Sequence, residues 1–264
     1  MAFRRRGPQD IRVVVSQRAA VADDAMRLAH DGAVEAGFME PAPSGRRFYA
    51  SYLNPGTRFI VAYANHVPIA TLTVVEDGPF RLPSDRAFAE ELDARRAAGD
   101  ELIEAGSFAI AHEWRRQPQL MFGYILGTLL RLNISRGPHL RIAWSAEPRQ
   151  ADLLARTFDG EMISEPRHYL GAPAILLVTS TADKWATHLS DPNGRTPQRI
   201  VGEYALAPEP DWLECDAPPG DWQQALLPRL LGESRLGARL SEQMLLLEDF
   251  LGRDSHTAAE SAML

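Results

Sequence analysis

One acidic residue, Glu104, interrupts an otherwise apolar segment at 102–112 whose composition is typical of a β-strand. Carboxylates are seldom buried without a purpose, and burial raises the carboxyl pKa towards neutral pH. A carboxylate with such a pKa can accept a proton from a substrate, so we predict that Glu104 is a general base. Two alternatives stay open. In the first, Glu104 has only a structural role, because an arginine pairs with its carboxylate or because it lies at a strand edge. In the second, the strand register differs and Glu101 takes the catalytic role.

The sequence contains no complete motif for a zinc protease or a serine hydrolase. The segment from His112 to Arg116 begins like a zinc-protease helix but lacks the second histidine, and no Gly-x-Ser-x-Gly motif occurs. Cys215 is the only cysteine, which excludes an intrachain disulfide and a cysteine-based zinc site within one chain. We therefore expect no metal site. The sequence argues against a hydrolase or a metalloenzyme.

The composition also restricts partners and location. The formal net charge of -7 argues against a general nucleic-acid-binding protein, because phosphate binding needs a concentrated positive surface. A run of about 18 apolar residues is lacking, so no transmembrane helix is expected. Polar Pro8, Gln9 and Asp10 stand where a signal peptide needs an apolar stretch. With the single cysteine, these features predict a cytoplasmic protein.

The elements that must position Glu104 alternate between strands and helices. Their order is β, α, β, β, α, β, α, β, α, β, which predicts an α/β fold with a mixed central sheet flanked by helices. Asn65 and His66 predict a tight hairpin turn, and Ser84 is a candidate helix N-cap. The predicted strands are 11–15, 58–65, 67–76, 102–112, 139–145 and 172–180, and the predicted helices are 23–36, 84–98, 119–136 and 150–158.

The composition changes near residue 183, where a loop-rich segment with several prolines begins. We predict one domain over 11–182 and a linker with a C-terminal helical extension over 183–264. Two helical stretches, 222–231 and 240–251, are too small for an independent core. We expect them to pack on the main domain or to form a homodimer with a partner subunit.

A series of short motifs resembles the N-acyl amino acid synthases. These proteins belong to the GNAT superfamily of N-acyltransferases and are similar to the acyl-homoserine lactone synthases. The resemblance covers roughly residues 11–181 and implies a GNAT fold, in which an acyl thioester and an amine meet where two central strands separate. The motifs, in the family's order, are Gly78-Pro79-Phe80-Arg81-Leu82-Pro83, Glu91-Leu92, Glu101-Leu102-Ile103-Glu104, Glu147-Pro148-Arg149, Phe158-Asp159-Gly160-Glu161 and His168-Tyr169.

The resemblance implies transfer of a medium or long fatty acyl chain to the amine of an amino acid or similar small amine, with Glu104 as the base. It places the thioester oxygen against backbone N–H groups of residues 108–110, including Phe108 and Ala109. Ser107 stands where acyl-homoserine lactone synthases carry an arginine, so we expect it to pack or hydrogen-bond. The usual acid tyrosine would fall near Leu153 and Leu154. Two further side chains are candidates for substrate contact: Tyr169, as a substitute for that acid, and Arg81, on a substrate carboxylate.

The identity of the acyl donor depends on the segment Arg115–Gly123. Acetyl-CoA-dependent GNAT enzymes bind the pyrophosphate with a glycine-paired loop before a helix, and this segment lacks the glycine pair. We therefore expect acyl carrier protein, which delivers the phosphopantetheine-linked acyl thioester without the nucleotide, and no tightly bound cofactor. An acyl-CoA donor, or a degenerate domain that only binds acyl ligands, are the alternatives. The candidate carrier-binding residues are Arg115, Arg116, Arg131, Arg136 and Arg141.

Overall fold

A computed structural model describes residues 11–180, 182–208, 210–216, 222 and 225–226. Within them, one mixed sheet has the strand order β6-β8-β5-β4-β3-β2-β1-β9, and β7 pairs with β8 beside this path. The strands are β1 (Ile11–Ser16), β2 (Arg58–Ala64), β3 (Val67–Glu76), β4 (Glu101–Ile110), β5 (Leu140–Ala146), β6 (Gly160–Met162), β7 (Arg167–Tyr169), β8 (Ala172–Thr179) and β9 (Leu213–Cys215). This arrangement confirms the predicted α/β class and mixed sheet.

The sheet combines antiparallel pairs with two parallel pairs, β4 with β5 at the centre and β1 with β9 at the edge. Strands β1 to β4 form an antiparallel meander, β4 pairs parallel with β5, and β5 pairs antiparallel with β8. Asn65 and His66 connect β2 to β3, and both have positive φ angles of 49° and 67°. This geometry is that of a two-residue type I′ turn, which confirms the predicted hairpin.

Helices cover both faces of the sheet because alternate residues of each strand point to opposite sides. Phe59 and Val61 pack with α1 and α2 on one face, whereas Ile60 and Ala62 belong to a core shared with the segment Gln119–Gly127 on the other. The helices are α1 (Ala19–Glu35), α2 (Asp85–Ala97), α3 (Thr128–Asn133), α4 (Pro148–Phe158), α5 (Ala182–Leu189) and α6 (Thr196–Ala205). Among the described helices, none has the length and apolarity needed to cross a membrane.

The predicted helix at 119–136 differs from the structure in its winding. Gln119–Gly127 is π-helical, and a short α-helix, α3, continues it. Gly123 and Gly127 weaken the regular α-helical pattern. They also admit Tyr204 of α6, since a Cβ atom at Gly123 would lie 2.7 Å from the Tyr204 ring. The missing side chains therefore allow α6 to pack directly on this backbone.

The region after residue 183 contributes to the same core. Trp185 of α5 and Val201 of α6 are fully buried in the cluster that includes the π-helical segment, and β9 adds to the sheet beside β1. Trp222 is also buried, with its ring 5.6 Å from that of Phe59. The domain boundary at 183 stays a prediction. Most of the predicted helix at 222–231, all of that at 240–251, and the homodimer assigned to them lie outside the described residues.

Candidate active site

The central strands β4 and β5 separate beside Glu104. Their parallel pairing runs from Glu101 opposite Leu140 to Glu104 opposite Ala143 and stops there. Both strands continue, to Ile110 and Ala146 respectively. The backbone edges beyond the last pair therefore face a gap, and a cavity of about 370 Å³ occupies it.

The cavity passes from one face of the sheet to the other. One part, here called the tyrosine half, is lined by Arg47, Tyr49, Tyr52, Glu104 and Tyr169 on the face that carries α1 and α2. The apolar half lies on the opposite face and is lined by Met121, Phe122, Leu126, Trp144 and Leu154. A polar reactant and an apolar chain can thus reach the gap from opposite sides.

Glu104 is buried in the wall of this cavity, with 3% of its surface exposed. It lies on the same face of β4 as Leu102, towards the N-terminus of α2. Ser84, the residue before α2, donates its backbone N–H to Oε2 and its hydroxyl to Oε1, both at 2.8 Å. Ser84 occupies the predicted N-cap position, but its side chain makes no capping bond and binds Glu104 instead.

Burial raises the pKa of Glu104 from its ordinary value of 4.5 to about 7. The two hydrogen bonds from Ser84 oppose this rise, and the nearby carboxylates Asp85 and Asp77 add to it. Near neutral pH the side chain therefore exchanges readily between its charged and neutral forms. These are the properties of a general base that operates at physiological pH.

A β-bulge follows Glu104 on the same strand. Thr73 pairs with Gly106 and Thr71 with Ala109, so Ser107 and Phe108 together lie opposite Leu72. Ser107 has a φ angle of 47°, in the left-handed region. A bulge leaves a residue unpaired in the ladder, which frees backbone groups beside the gap. Ser107 also accepts a hydrogen bond at 2.5 Å from the buried hydroxyl of Tyr52, which holds the bulge in place.

Two polar atoms of the cavity wall are buried without a hydrogen-bond partner in the described part of the chain. They are the hydroxyl of Tyr169 and the indole Nε1 of Trp144. Buried donors usually have a partner, so both groups are available to a bound molecule. Burial raises the pKa of the Tyr169 phenol, and the charge of Glu104 raises it further. Tyr169 is consequently protonated at neutral pH and acts as a hydrogen-bond donor.

The structure brings four of the predicted substrate-site residues to the cavity: Glu104, Ser107, Phe108 and Tyr169. Ala109 and Arg81 are not among the described residues that line it. The Ala109 side chain faces α1, where a Cβ atom at Gly32 would lie 3.0 Å from it. Arg81 is exposed and forms ion pairs with Asp85 and Asp93.

Four of the five arginines predicted to bind a carrier protein have partners within the chain. Arg115 binds both carboxylate oxygens of Glu35, Arg136 binds Glu76, and Arg141 binds Asp100. Arg131 donates to the backbone carbonyl of Ala207, which follows α6. Arg116 is exposed and forms no ion pair among the described residues. An assignment of these arginines to a carrier surface stays a prediction.

Three backbone amides of the segment predicted to lack a pyrophosphate site are bonded internally. The backbone N–H groups of Arg115, Gln117 and Leu120 donate to carbonyls three residues earlier, at 3.4, 3.2 and 3.0 Å. Pro118 has no N–H. In the described parts of the chain, no group of three or more His, Cys, Asp or Glu side chains could hold a metal ion.

Several residues of the tyrosine half were not predicted from the sequence. Arg47, Tyr49 and Tyr52 belong to the connection between α1 and β2, which carries no periodic pattern from which their orientation could be predicted. The available signal was composition, because Phe48, Tyr49 and Tyr52 cluster in an otherwise polar loop with glycine and proline. Long loops of this kind are often functional, and this one forms a wall of the cavity.

Comparisons with known proteins agree with this geometry. A family model described as N-acyl amino acid synthase FeeM matches residues 24–180. No curated protein matches the sequence. The solved structure of FeeM, an N-acyl amino acid synthase from uncultured soil microbes, is similar with a TM-score of 0.57 and 20% identity, over 67% of this chain and 94% of that chain.

Two acyl-homoserine lactone synthases share the fold. The CoA-dependent enzyme BjaI, solved with SAM and isopentyl-CoA, has a TM-score of 0.53 and 12% identity over 83% of this chain and 99% of that chain. LasI has a TM-score of 0.51 and 13% identity over 65% of this chain and 90% of that chain. The family match spans more than half of the sequence. The chain therefore belongs to the FeeM family of N-acyl amino acid synthases, which are amide-forming acyltransferases with a GNAT-like fold.

Proposed function

We propose that this protein transfers a medium or long fatty acyl chain from acyl carrier protein to the amine of an amino acid, by direct attack of the amine on the thioester. The observation that carries the proposal is the position of Glu104. It is a buried carboxylate with a pKa of about 7, in a cavity that opens where β4 and β5 separate.

Glu104 prepares the nucleophile in this mechanism. The amine of an amino acid is mostly protonated at neutral pH and must lose a proton before it can attack. The carboxylate form of Glu104 accepts that proton directly or through a water molecule. Ser84 keeps the carboxylate oriented, because it binds both oxygens and is itself fixed at the start of α2.

The bulge of β4 stabilises the oxyanion that forms as the amine adds to the thioester carbonyl. The backbone N–H of Phe108, which lines the cavity next to the left-handed Ser107, is the donor we assign on this side of the gap. Ala109 pairs with Thr71 of β3 and does not line the cavity. Preorganised donors supply a large share of the rate enhancement in acyl transfer. The attached nitrogen gives up its second proton to solvent, and the carbon–sulfur bond of the intermediate then breaks and leaves the amide.

The leaving group is the thiolate of phosphopantetheine, which takes a proton from solvent. Leu153 and Leu154 occupy the part of the wall where the usual acid tyrosine was expected, and neither can donate a proton. The Tyr169 hydroxyl, protonated and without a partner in the described chain, contributes a hydrogen bond to the bound substrate.

The apolar half of the cavity accommodates the acyl chain. Phe122, Leu126 and Trp144 are buried there, with Met121 and Leu154 beside them. Removal of an aliphatic chain from water contributes about 0.8 kcal/mol for each buried methylene, so this wall favours medium or long chains over acetyl.

The carrier-protein donor is supported by the segment Arg115–Gly123. The segment lacks the glycine pair, Pro118 has no N–H, and three amides are bonded internally, which leaves fewer N–H groups for the pyrophosphate of coenzyme A. A carrier protein presents no nucleotide and binds through acidic side chains, which need positive charge on the partner surface. Arg116 is the strongest candidate among the five predicted arginines because it is exposed and unpaired among the described residues.

The test compares donors that carry the same acyl chain on carrier protein, coenzyme A or pantetheine, each incubated with a panel of amino acids. We expect mass spectrometry to detect the amide, with kcat/KM for the carrier-bound chain at least roughly tenfold above that for acyl-CoA. Arg116→Glu should lower kcat/KM only for the carrier-bound donor, and acyl-pantetheine serves as the matched control. Equal turnover with acyl-CoA contradicts the donor assignment, and no amide from any donor contradicts the function.

A further inference from the structure

Arg47 is the only lysine or arginine among the described residues that line the cavity. Its side chain is half-buried, and its Nε–H donates to the hydroxyl of Tyr49 at 2.7 Å. No carboxylate pairs with its guanidinium in the described part of the chain, and its two terminal nitrogens make no hydrogen bond there. A partly buried cation without a counter-ion carries a desolvation cost that a bound anion relieves.

The loop around Arg47 is held in place by contacts other than those of the guanidinium. The Arg47 backbone N–H donates to the carbonyl of Met26 on α1 at 3.0 Å. The neighbouring Arg46 is buried, forms an ion pair with Asp23 of α1, and donates to the carbonyl of Ser44 at 2.7 Å. The Arg47 Cζ also lies 5.5 Å from the centre of the Tyr49 ring. Arg47 is thus positioned before any ligand binds, which lowers the entropic cost of recognition.

Arg47 and Glu104 both line the cavity, and both affect the pKa of the Tyr169 phenol. Burial raises the pKa of Tyr169, Glu104 raises it further, and Arg47 lowers it. The tyrosine half therefore presents one cation and one buried carboxylate in the wall of the same cavity. An α-amino acid carries the complementary pair, a carboxylate and an ammonium group on one carbon.

Two other arginines near the site are already occupied. Arg81 is bound to Asp85 and Asp93, and Arg167 is bound to Glu91 and to the carbonyl of Ala87. A free guanidinium with two parallel N–H donors matches the geometry of a carboxylate. In Arg47, the edge formed by the two terminal nitrogens is available for that contact.

We propose that Arg47 binds the α-carboxylate of the acceptor amino acid and makes the enzyme select amino acids over amines that lack a carboxylate. This inference rests on the proposed function, since it assigns the acceptor half of the same cavity. Bound in this way, the amino acid places its amine towards Glu104 and the gap between β4 and β5.

The test measures acceptor selectivity at a saturating concentration of acyl carrier protein loaded with the acyl chain. Two acceptors are compared. One is the common amino acid that the enzyme acylates fastest, and the other is the amine formed by removing the carboxylate from that amino acid. The wild-type enzyme should prefer the amino acid. The Arg47→Met substitution should raise the KM for the amino acid roughly 10- to 100-fold and change kcat little. The preference over the decarboxylated amine should fall by the same factor. Arg86→Met is the matched control. Arg86 is exposed and lies outside the cavity lining, yet like Arg47 it lowers the pKa of Tyr49 and of Tyr169.

Two measurements keep this inference separate from the proposed function and from any folding defect. Wild type that acylates the decarboxylated amine as efficiently as the amino acid overturns the inference without any variant. An Arg47→Met protein that keeps the wild-type preference overturns it as well. Calorimetric titration with the best-bound of the common amino acids does not need turnover. Binding that wild type shows and Arg47→Met loses supports the role of Arg47 even if no amide forms, whereas absence of the amide alone counts against the proposed function.

Discussion

Ser84 donates two hydrogen bonds to Glu104, one from its backbone N–H to Oε2 and one from its hydroxyl to Oε1, both at 2.8 Å. The two residues are on different elements, the start of α2 and the middle of β4. Their contact orients the carboxylate and also limits the rise of its pKa that burial causes. The position of α2 on the sheet therefore sets both the geometry and the pH range of the proposed base.

Ser84→Ala should move the pH dependence of the reaction. The variant loses the hydroxyl donor and keeps the backbone donor, so the charged form of Glu104 is stabilised less and its pKa rises above 7. We expect the acidic limb of the kcat/KM profile to shift to higher pH by about one unit. Ser51→Ala is a suitable control, because the buried Ser51 hydroxyl has no hydrogen-bond partner among the described residues. An acidic limb at the same pH in wild type and Ser84→Ala would show that the Ser84 hydroxyl does not influence the pKa of the base.

Glu104→Gln should be more stable than wild type, but only at neutral and alkaline pH. The pKa of Glu104 is raised in the folded state, so its contribution to stability is complete below about pH 4.5 and is lost as the pH rises through 7. The loss amounts to about 3 kcal/mol of unfolding free energy. The amide that replaces the carboxylate in the variant carries no charge to desolvate, and the Ser84 hydroxyl can rotate to accept a hydrogen bond from it.

Denaturant titrations between about pH 4 and pH 9 measure this difference. The gain in unfolding free energy should be near zero at the acidic end and largest above pH 7. Glu101→Gln, an exposed change on the same strand, should show no such trend. A gain for Glu104→Gln that does not vary with pH would mean that Glu104 does not titrate in this range in the folded protein.

Ser107→Gly and Ser107→Val should differ sharply. The φ angle of 47° at Ser107 suits glycine and is unfavourable for a β-branched residue. We expect Ser107→Val to lose about 1–2 kcal/mol of stability and most of kcat as the bulge rearranges. Ser107→Gly should retain most of kcat, losing only the bond from Tyr52. Chemical denaturation and steady-state kinetics provide both values, and equal kcat in the two variants would remove the bulge from the mechanism.

Leu154→Trp should shorten the acyl chain that the enzyme prefers. Leu154 is half-buried in the apolar half, where a larger side chain occupies space that the distal methylenes need. With a series of acyl carrier protein thioesters, the optimum should move to shorter chains while the KM of the amino acid is unchanged. Leu206→Trp, on an exposed residue outside the cavity lining, is the control. An unchanged optimum would place the acyl chain elsewhere.

The sequence was sufficient to predict the fold class, the hairpin at Asn65 and His66, and a glutamate within an apolar strand. These features depend on local patterns, namely alternation, turn chemistry and one carboxylate among apolar neighbours. The short strands β6, β7 and β9 were not predicted as separate elements, because three residues carry too little periodicity. Arg47 and the bulge at Ser107 depend on how a loop packs on α1 and how two strands pair, and neither is encoded locally.

In the proposed reaction Glu104 accepts the proton of the attacking amine, and the pH profile of Glu104→Gln measures this role. We expect kcat/KM for the amino acid to rise with an apparent pKa near 7 in wild type. In Glu104→Gln it should fall by about a hundredfold or more and lose that limb, while the unfolding midpoint at about pH 8 is at least as high as that of wild type. A Glu104→Gln enzyme that keeps most of its activity and the same limb near pH 7 would exclude Glu104 as the base.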